Sequence, residues 1–238
     1  MQDVFKLLKH IDGGKVLDAA CGKGDFINVI KQNFKSYEQI IGVDSSEICV
    51  KQAQNLFPEN NIEIYRMDLE QLDFADNYFD TVCISNSLHH LENKERVLHE
   101  LMRVLKSGGL FVIQEMYSDG KQNQAQQTHI LMHHWFAEID TLNNHYHRPT
   151  YTRQELIDLF DSLELDNTHL EDYYIPVDNP ADPKVINPLL HNVKDRIKKC
   201  QSLPSSESLC EEGQKILERL TTIGYMSASK LLFTGRKK

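Results

Sequence analysis

No stretch of this sequence approaches the ~18 consecutive apolar residues that a membrane-spanning helix requires, although 40% of its 238 residues are hydrophobic. Residues 1–6 also lack a basic stretch that leads into a long apolar run, so the sequence shows no secretory signal. These two absences predict a soluble, cytoplasmic protein that does not have a membrane as a partner.

Closely spaced cysteines are absent as well. The five cysteines are odd in number, lie far apart in the sequence and never form a CxxC pair. This pattern argues against both a disulfide framework and a thiolate zinc site. We therefore expect reduced thiols at Cys21, Cys49, Cys83, Cys200 and Cys210.

The sequence has little concentrated positive charge. Its formal net charge is −9, and its basic residues are dispersed except at 198–199 and at 236–238. A chain of this charge repels a phosphate backbone unless basic residues converge in space. We therefore expect no nucleic-acid partner.

The first 116 residues alternate short apolar segments with helical patterns, as βαβ units do. Strands of a parallel sheet are buried on both faces, so each is predicted as a run rich in Val, Ile, Leu or Phe. The order therefore predicts a parallel sheet. Its strands are expected at 15–19, 39–43, 62–66, 81–85 and 110–115, with helices at 26–33, 47–55 and 94–106.

Two long segments interrupt the alternating pattern after residue 116. Residues 117–150 contain five of the eleven histidines, and residues 175–225 begin with a proline-rich stretch. The second segment also contains helical patterns around 189–200 and 211–220. We interpret both segments as insertions that form a lid over a substrate site.

The sheet pattern resumes between and after the insertions. Thr152 and Glu155 form a capping box that begins a helix, and strands are predicted at 163–174 and 227–235. The expected fold is a Rossmann-like α/β fold: a seven-stranded, mostly parallel sheet with helices on both faces and helical insertions forming a cap. We expect one domain over 1–238, with its core at 10–116, 151–174 and 226–236 and the lid at 117–150 and 175–225.

The turn after the first predicted strand has the composition of a ligand-binding loop. Gly22 and Gly24 let the backbone bend and approach a ligand closely. The third glycine of a dinucleotide-binding GxGxxG would fall at Ile27, and the strand ends in Asp18. A carboxylate opposes a pyrophosphate but suits a cation, and S-adenosylmethionine carries an ammonium and a sulfonium without any phosphate.

Acidic residues also follow the second and third predicted strands. Asp44 lies just past the second strand, where a carboxylate can accept both ribose hydroxyls. Asp68 follows the third strand, where it could accept the adenine amino group. Any one of these acids could be an ordinary loop or cap residue, but all three fall at the carboxyl edge of the sheet, where open α/β folds bind ligands.

The loop resembles that of the class I S-adenosylmethionine-dependent methyltransferases, in the branch that includes the ubiquinone and menaquinone C-methyltransferases. The glycine-rich loop of this family reads DxGxGxG. Asp18, Gly22 and Gly24 match it, and Ala20 replaces the first glycine. The resemblance covers residues 10–116.

Two further motifs support the resemblance. Residues 80–91, DTVCISNSLHHL, resemble the fourth-strand motif, and residues 103–111, RVLKSGGLF, resemble the turn after the helix. The resemblance implies S-adenosyl-L-methionine as the cofactor and S-adenosyl-L-homocysteine as the product. It implies a cofactor site that contains Asp18, Ala19, Ala20, Gly22, Gly24, Asp44, Ser45, Asp68, Leu69, Ser85 and Asn86.

The histidines of the first insertion allow three interpretations. His129 and His133 share one helical stripe with Phe136 and Asp140, which could face a metal, solvent or a substrate pocket. HExxH is absent and no third ligand is fixed by spacing, although His145 and His147 follow, so we predict no metal. The opposite stripe is predicted to be the packing face and contains Leu131, Trp135, Ile139 and Leu142.

The expected reaction is methyl transfer to a small-molecule acceptor by in-line displacement. If the acceptor must lose a proton, the candidate proton acceptor is His133, with His129, His90 and Tyr117 as alternatives. We expect a monomer or a homodimer. The alternatives are a non-catalytic S-adenosylmethionine sensor or subunit, a protein or RNA methyltransferase, and a nicotinamide oxidoreductase.

Overall fold

The computed structural model describes residues 5–200 and 207–238 and, within these ranges, contains one seven-stranded sheet. The order of the strands in the sheet is β3-β2-β1-β4-β5-β7-β6. This finding confirms the predicted Rossmann-like α/β fold. The strands are β1 (Lys15–Ala19), β2 (Gln39–Asp44), β3 (Ile62–Arg66), β4 (Phe79–Ser85), β5 (Leu105–Met116), β6 (Asp166–Tyr173) and β7 (Lys230–Arg236).

Parallel pairing brings the carboxyl ends of the central strands to one edge. β1 pairs in parallel with β2 and β4, so that Ala19 lies opposite both Val43 and Ile84. β2 pairs in parallel with β3, and β4 with β5. Almost every inner residue of these strands is buried, because parallel strands are covered on both faces. The loops that follow β1, β2 and β4 therefore lie side by side.

Seven α-helices lie in the described ranges, and local sequence signals explain where several of them begin. The Ser46 hydroxyl accepts a hydrogen bond from the Cys49 N–H at the start of the second helix. Asn123 and Gln126 form a reciprocal capping box at the start of the fourth. The helices are α1 (Asp25–Asn33), α2 (Glu47–Leu56), α3 (Lys94–Val104), α4 (Gln124–Leu142), α5 (Arg153–Asp161), α6 (Pro183–Cys200) and α7 (Glu207–Thr222). None of the helices in the described part of the chain is long and apolar enough to cross a membrane.

Several element boundaries differ from the prediction, and two of the differences have clear physical reasons. α3 ends at Val104 rather than at 106, because Leu105 already pairs with Phe79 as the first residue of β5. α6 begins at Pro183, six residues before the predicted start. Proline breaks helix interiors but is favoured in the first turn, where its missing N–H has no partner in any helix. The proline-rich stretch therefore concealed the start of a helix.

The chain divides into two compact units. The first comprises residues 1–115, 158–171 and 231–238, and the second comprises residues 116–157 and 172–230. The second unit thus contains both predicted insertions, 117–150 and 175–225, in full. Their role as a lid remains a prediction.

Helices α4, α6 and α7 form the core of the second unit. Trp135 of α4 is buried among residues of the other two helices, and its indole N–H donates a hydrogen bond of 2.8 Å to the Leu209 carbonyl. A Cβ on Gly213 would lie 2.6 Å from atoms of both Ile197 and Trp135. α7 can therefore approach its neighbours closely only because residue 213 is glycine.

Candidate functional site

The turn between β1 and α1 is tight and contains three left-handed residues. The φ angles are 53° at Ala20, 55° at Gly22 and 93° at Gly24. A Cβ on Gly22 would meet no atom within 4 Å, whereas a Cβ on Gly24 would lie 2.2 Å from Cε2 of Phe57. Glycine is therefore required at these two positions for different physical reasons. Gly24 permits packing against Phe57, and Gly22 faces open space that a ligand can use.

The Asp18 carboxyl is the most unusual group near this turn. Its side chain is 1% exposed, and neither carboxyl oxygen has a hydrogen-bond partner in the described ranges. Burial raises the pKa of Asp18 well above its ordinary value, and the nearby Asp44 and Asp25 raise it further. A buried carboxyl without a partner is costly, so this position fits a ligand that supplies a cation or hydrogen-bond donors.

Asp44 ends β2 and holds two backbone segments. Its Oδ2 accepts a hydrogen bond of 2.8 Å from the Gly22 N–H, and its Oδ1 accepts one of 2.8 Å from the Ser46 N–H. The first contact fixes the glycine turn, and the second fixes the start of α2. The neighbouring Ser45 is exposed, and its carbonyl accepts a hydrogen bond from Nε of Arg66.

Asp68 and Leu69 form a small turn after β3. Oδ1 of Asp68 accepts a hydrogen bond of 2.9 Å from the Glu70 N–H, and the Asp68 side chain is exposed. Leu69 is buried. An exposed carboxylate beside a buried apolar residue suits a ligand that has a polar edge and a flat apolar face.

Ser85 and Asn86 end β4 in a strained turn. Asn86 has a φ of 48°, and its N–H donates a hydrogen bond of 2.7 Å to the Gln114 carbonyl. The Ser85 hydroxyl accepts hydrogen bonds from the side-chain amides of Asn86 and Gln114. Oδ1 of Asn86 is buried and lacks a partner within residues 5–200 and 207–238. It is thus a second buried acceptor at the same edge of the sheet.

The structure brings most of the predicted cofactor residues to one edge of the sheet. Ala19, Val43 and Ile84 lie in register, so Asp18, one residue before the end of β1, lies near Asp44 and Ser85, which end the adjacent strands. Ala19 is fully buried and is the last residue of β1 before the turn. Asp44 contacts Gly22 directly, whereas Asp68 contacts its own turn.

Sequence reasoning missed a buried carboxylate, Glu115, near the end of β5. Glu115 has no solvent exposure, and its Oε2 accepts a hydrogen bond of 2.9 Å from the Leu88 N–H. Its Oε1 lies 3.1 Å from Nδ1 of His89, which is also buried, whereas His90 is exposed. Glu115 therefore fixes the loop after β4. Its sequence signal was the same as that of Asp18, an acid near the end of a buried apolar strand.

A chain of polar side chains in the second unit includes His133. Nε2 of His133 lies 3.1 Å from Nε2 of His147, and Nδ1 of His147 lies 2.8 Å from Oδ2 of Asp140. Oδ1 of Asp140 accepts a hydrogen bond of 2.7 Å from Arg196. Burial alone would raise the pKa of Asp140, but the hydrogen bonds from His147 and Arg196 lower it below its ordinary value.

The ionised Asp140 determines the arrangement of hydrogens in this chain. A carboxylate only accepts hydrogen bonds, so Nδ1 of His147 carries a hydrogen. In neutral His147, Nε2 is then the acceptor, and Nε2 of His133 must donate. Nδ1 is consequently the basic nitrogen of His133. This tautomer follows from hydrogen-bond geometry.

The alternative proton acceptors differ from His133. Nδ1 of His129 accepts a hydrogen bond of 2.9 Å from the Ala228 N–H, which makes Nε2 its protonated nitrogen when the ring is neutral. The Tyr117 hydroxyl donates to Oδ1 of Asp172 at 3.0 Å. Burial raises the pKa of Tyr117, and Asp172 raises it further, so Tyr117 is a poor base.

The prediction for the two faces of α4 was partly wrong. His133 is 8% exposed, which excludes the solvated-face interpretation for this residue. On the predicted packing stripe Trp135 and Ile139 are buried, but Leu131 and Leu142 are 46% and 53% exposed. α4 is buried on more than one side, at Ile130, Met132 and Ala137 among others. The predicted division of α4 into one packing face and one polar face is therefore incorrect.

Comparisons with known proteins agree with the geometry of the first unit. Residues 17–113 match the family model described as a methyltransferase domain, type 11. Over 107 residues the chain is 33% identical to the ubiquinone/menaquinone biosynthesis C-methyltransferase UbiE of Pseudomonas fluorescens, with 43% of this chain and 42% of that protein covered. The chain thus spans less than half the length of this curated relative.

Solved structures show the same fold over nearly the whole chain. The YcgJ protein from Bacillus subtilis has a TM-score of 0.61 at 18% identity, covering 98% of this chain and 96% of that one. Phosphoethanolamine N-methyltransferase 2 of Haemonchus contortus was solved with phosphomonomethylethanolamine and S-adenosylhomocysteine. It has a TM-score of 0.59 at 14% identity, covering 99% of this chain and 52% of that one.

Proposed function

We propose that residues 17–113 form a class I S-adenosylmethionine-dependent methyltransferase domain of the type 11 branch, and that the whole chain transfers a methyl group to a small-molecule acceptor. The observation that carries the proposal is the buried Asp18 carboxyl, which has no partner in the described residues, beside the open space over Gly22. A ligand with an ammonium group would satisfy this carboxyl.

The residues at the edge of the sheet fit S-adenosylmethionine along its length. In the proposal Asp18 holds the ammonium end, and Gly22 allows the backbone to approach. Asp44 accepts the ribose hydroxyls, because a carboxylate has about four acceptor positions and the backbone uses two of them here. Asp68 and Leu69 hold the adenine. The remaining members of the proposed set are Ala19, Ala20, Gly24, Ser45, Ser85 and Asn86.

For methyl transfer, the protein needs mainly to orient the two reactants and to exclude water from the site. When bound, the cofactor supplies an electrophilic methyl group on a sulfonium. The chain's own residues orient the acceptor for in-line attack and exclude water. If the acceptor must lose a proton, His133 takes it at Nδ1, while His147 and the Asp140 carboxylate stabilise the positive charge that forms.

Three features support a small molecule as the acceptor. The net charge of −9 disfavours nucleic acid, the curated relative is named for quinone biosynthesis, and the two insertions supply material for a lid. In this proposal the lid is formed by residues 117–150 and 175–225. The enzyme works in the cytoplasm, in keeping with its five free cysteines, as a monomer or homodimer.

The deciding experiment has two stages. Calorimetry with S-adenosylmethionine and S-adenosylhomocysteine tests the cofactor site, and the same protein is then incubated with labelled methyl donor and fractionated metabolite extracts. Label in a small molecule supports the proposal. Tight cofactor binding with label only in protein or RNA, or with no label transfer, favours a macromolecular methyltransferase or a non-catalytic subunit. Tight NADH binding would reject the cofactor assignment.

A further inference from the structure

A cleft of about 620 Å³ lies within the second unit. Its walls are one stripe of α4, one stripe of α7 and the segment that includes His147 and Pro149. All of its lining residues belong to the second unit, so none of them is among the residues proposed to hold S-adenosylmethionine. A cleft of this size accommodates a ligand as large as a typical drug.

The walls of the cleft are mainly apolar. Leu131 and Leu142 lie on the α4 stripe and are the two exposed leucines that the predicted packing face did not explain. Trp135 lies between them on the same stripe, and Ile216 of α7 faces the same cleft. Exposed apolar side chains that gather in one concave site often mark a surface that binds a ligand or a partner.

Two cationic side chains line the cleft. Lys215 and Arg219 are four residues apart on α7, so they share a face of the helix. Nη2 of Arg219 donates a hydrogen bond of 2.9 Å to the Gln124 carbonyl. Its Nε is buried and has no acceptor in the described part of the chain. A buried guanidinium N–H without an acceptor is costly, and an anion in the cleft would satisfy it.

The acidic residues of the lining do not oppose this assignment. Glu138 and Glu212 also border the cleft, but both are exposed, as is Lys215, so water screens all three charges. Arg219 is only partly exposed. Among the charged groups that line the cleft, only the Arg219 guanidinium has a buried N–H without an acceptor in the described residues.

We propose that this cleft binds an amphipathic anion, with an apolar chain or ring between α4 and α7 and a carboxylate or phosphate head at Arg219. Ligand binding in this cleft does not depend on methyl transfer, although His147, which lines the cleft, is also proposed to stabilise the charge on His133. It requires neither a methyl donor nor an intact cofactor turn, so a failure of the proposed enzymatic activity leaves this inference standing.

Trp135 makes the site directly measurable, because it is the single tryptophan of the chain and lines the cleft. The probe is dodecanoate with a terminal bromine, which quenches tryptophan fluorescence on contact. We expect saturable quenching by this acid and by dodecyl phosphate carrying the same bromine, and at least tenfold weaker quenching by the uncharged alcohol. The tighter of the two anions identifies the natural head group as carboxylate or phosphate.

Variants test the two halves of the site. Arg219→Gln should weaken binding of the anions about tenfold and leave the alcohol unchanged. Leu131→Glu, at an exposed position where folding is not at risk, should weaken all three probes. Lys194→Gln, on the exposed surface of α6 and outside the lining, should change nothing. Absence of saturable quenching by both anions, or equal affinity for acid and alcohol that Arg219→Gln does not alter, would overturn the inference.

Discussion

The Gly22 N–H donates a hydrogen bond of 2.8 Å to Oδ2 of Asp44 and so ties the glycine turn after β1 to the end of β2. The other oxygen of the same carboxylate holds the Ser46 N–H at the start of α2. The acid proposed to bind ribose is thus also the group that shapes the turn. Binding and local folding are coupled at one side chain.

This coupling predicts a double effect of Asp44→Ala. The affinity for S-adenosylmethionine and S-adenosylhomocysteine should fall more than tenfold, about 1.4 kcal/mol, because two hydroxyls lose their acceptor and the turn loses its anchor. The unfolding midpoint should also fall. Calorimetry measures the first effect and thermal unfolding the second. Asp44→Asn, which retains one acceptor oxygen, should lie between the wild type and Asp44→Ala, and unchanged affinity in Asp44→Ala would remove Asp44 from the site.

Asp18→Asn should stabilise the protein in the absence of cofactor and should lower its affinity for the cofactor. The folded-state pKa of Asp18 is raised, so its contribution to stability is full below the unfolded-state pKa and is lost as pH rises through the folded-state pKa. The variant lacks this loss. Its gain over the wild type should therefore grow as pH rises from the unfolded-state pKa toward the folded-state pKa, at roughly 2–4 °C per kcal/mol in a chain of this length.

The same variant tests whether the Asp18 carboxylate contacts the cofactor or affects only the stability of the core. A neutral amide cannot pair with an ammonium, so S-adenosylmethionine should bind Asp18→Asn several-fold more weakly. Thermal scans and calorimetry on one preparation give both values. A variant that binds normally would show that the carboxylate does not meet the ligand.

Ala20 occupies a left-handed conformation where the family has glycine. An L-residue there costs about 1–2 kcal/mol, whereas glycine adopts it freely but loses about 0.4–1 kcal/mol through the entropy of the unfolded chain. Ala20→Gly should therefore be neutral or slightly stabilising, and Ala20→Val should be clearly destabilising. Urea unfolding of both variants checks the order. A large loss in Ala20→Gly would mean that the methyl group itself is needed for packing.

The sheet and its acidic edge could be predicted because local sequence determines both. Parallel strands buried on two faces produce continuous apolar runs, and an acid that ends such a run lies at the ligand-binding edge. Asp18 and Asp44 were found in this way. Glu115 obeys the same rule, since it ends the strand predicted at 110–115, but its role depends on partners 26 and 27 residues away in sequence.

The remaining features depend on contacts between distant residues. The constraint on Gly24 comes from Phe57. The ionised state of Asp140 depends on His147 and on Arg196, which is 56 residues away in sequence. No periodicity in α4 indicates that His133 meets His147, because His147 follows the helix in a loop. The metal, solvent and pocket interpretations of the histidines could not be separated from the sequence for this reason.

His133→Ala should lower turnover at least tenfold for an acceptor that must lose a proton and leave cofactor affinity unchanged. The matched control is His191→Ala, an exposed histidine of α6 that pairs with Asp195. Metal content should be measured on both variants. A stoichiometric metal in the wild type that disappears in His133→Ala would favour the metal interpretation, and normal turnover without a metal would reject His133 as the proton acceptor.

Asp140→Asn tests whether the proton-accepting strength of His133 originates at Asp140. The carboxylate stabilises a positive charge on His147, and His147 transmits this through the contact between the two Nε2 atoms. Without the negative charge the histidine pair should bind a proton less tightly, so the lower limb of the kcat profile should move to lower pH. The plateau should fall, because a weaker base removes the acceptor proton more slowly. The KM for S-adenosylmethionine should not change. A purely structural loss would lower kcat equally at every pH, so a profile of unchanged shape would restrict Asp140 and Arg196 to holding the fold of the second unit.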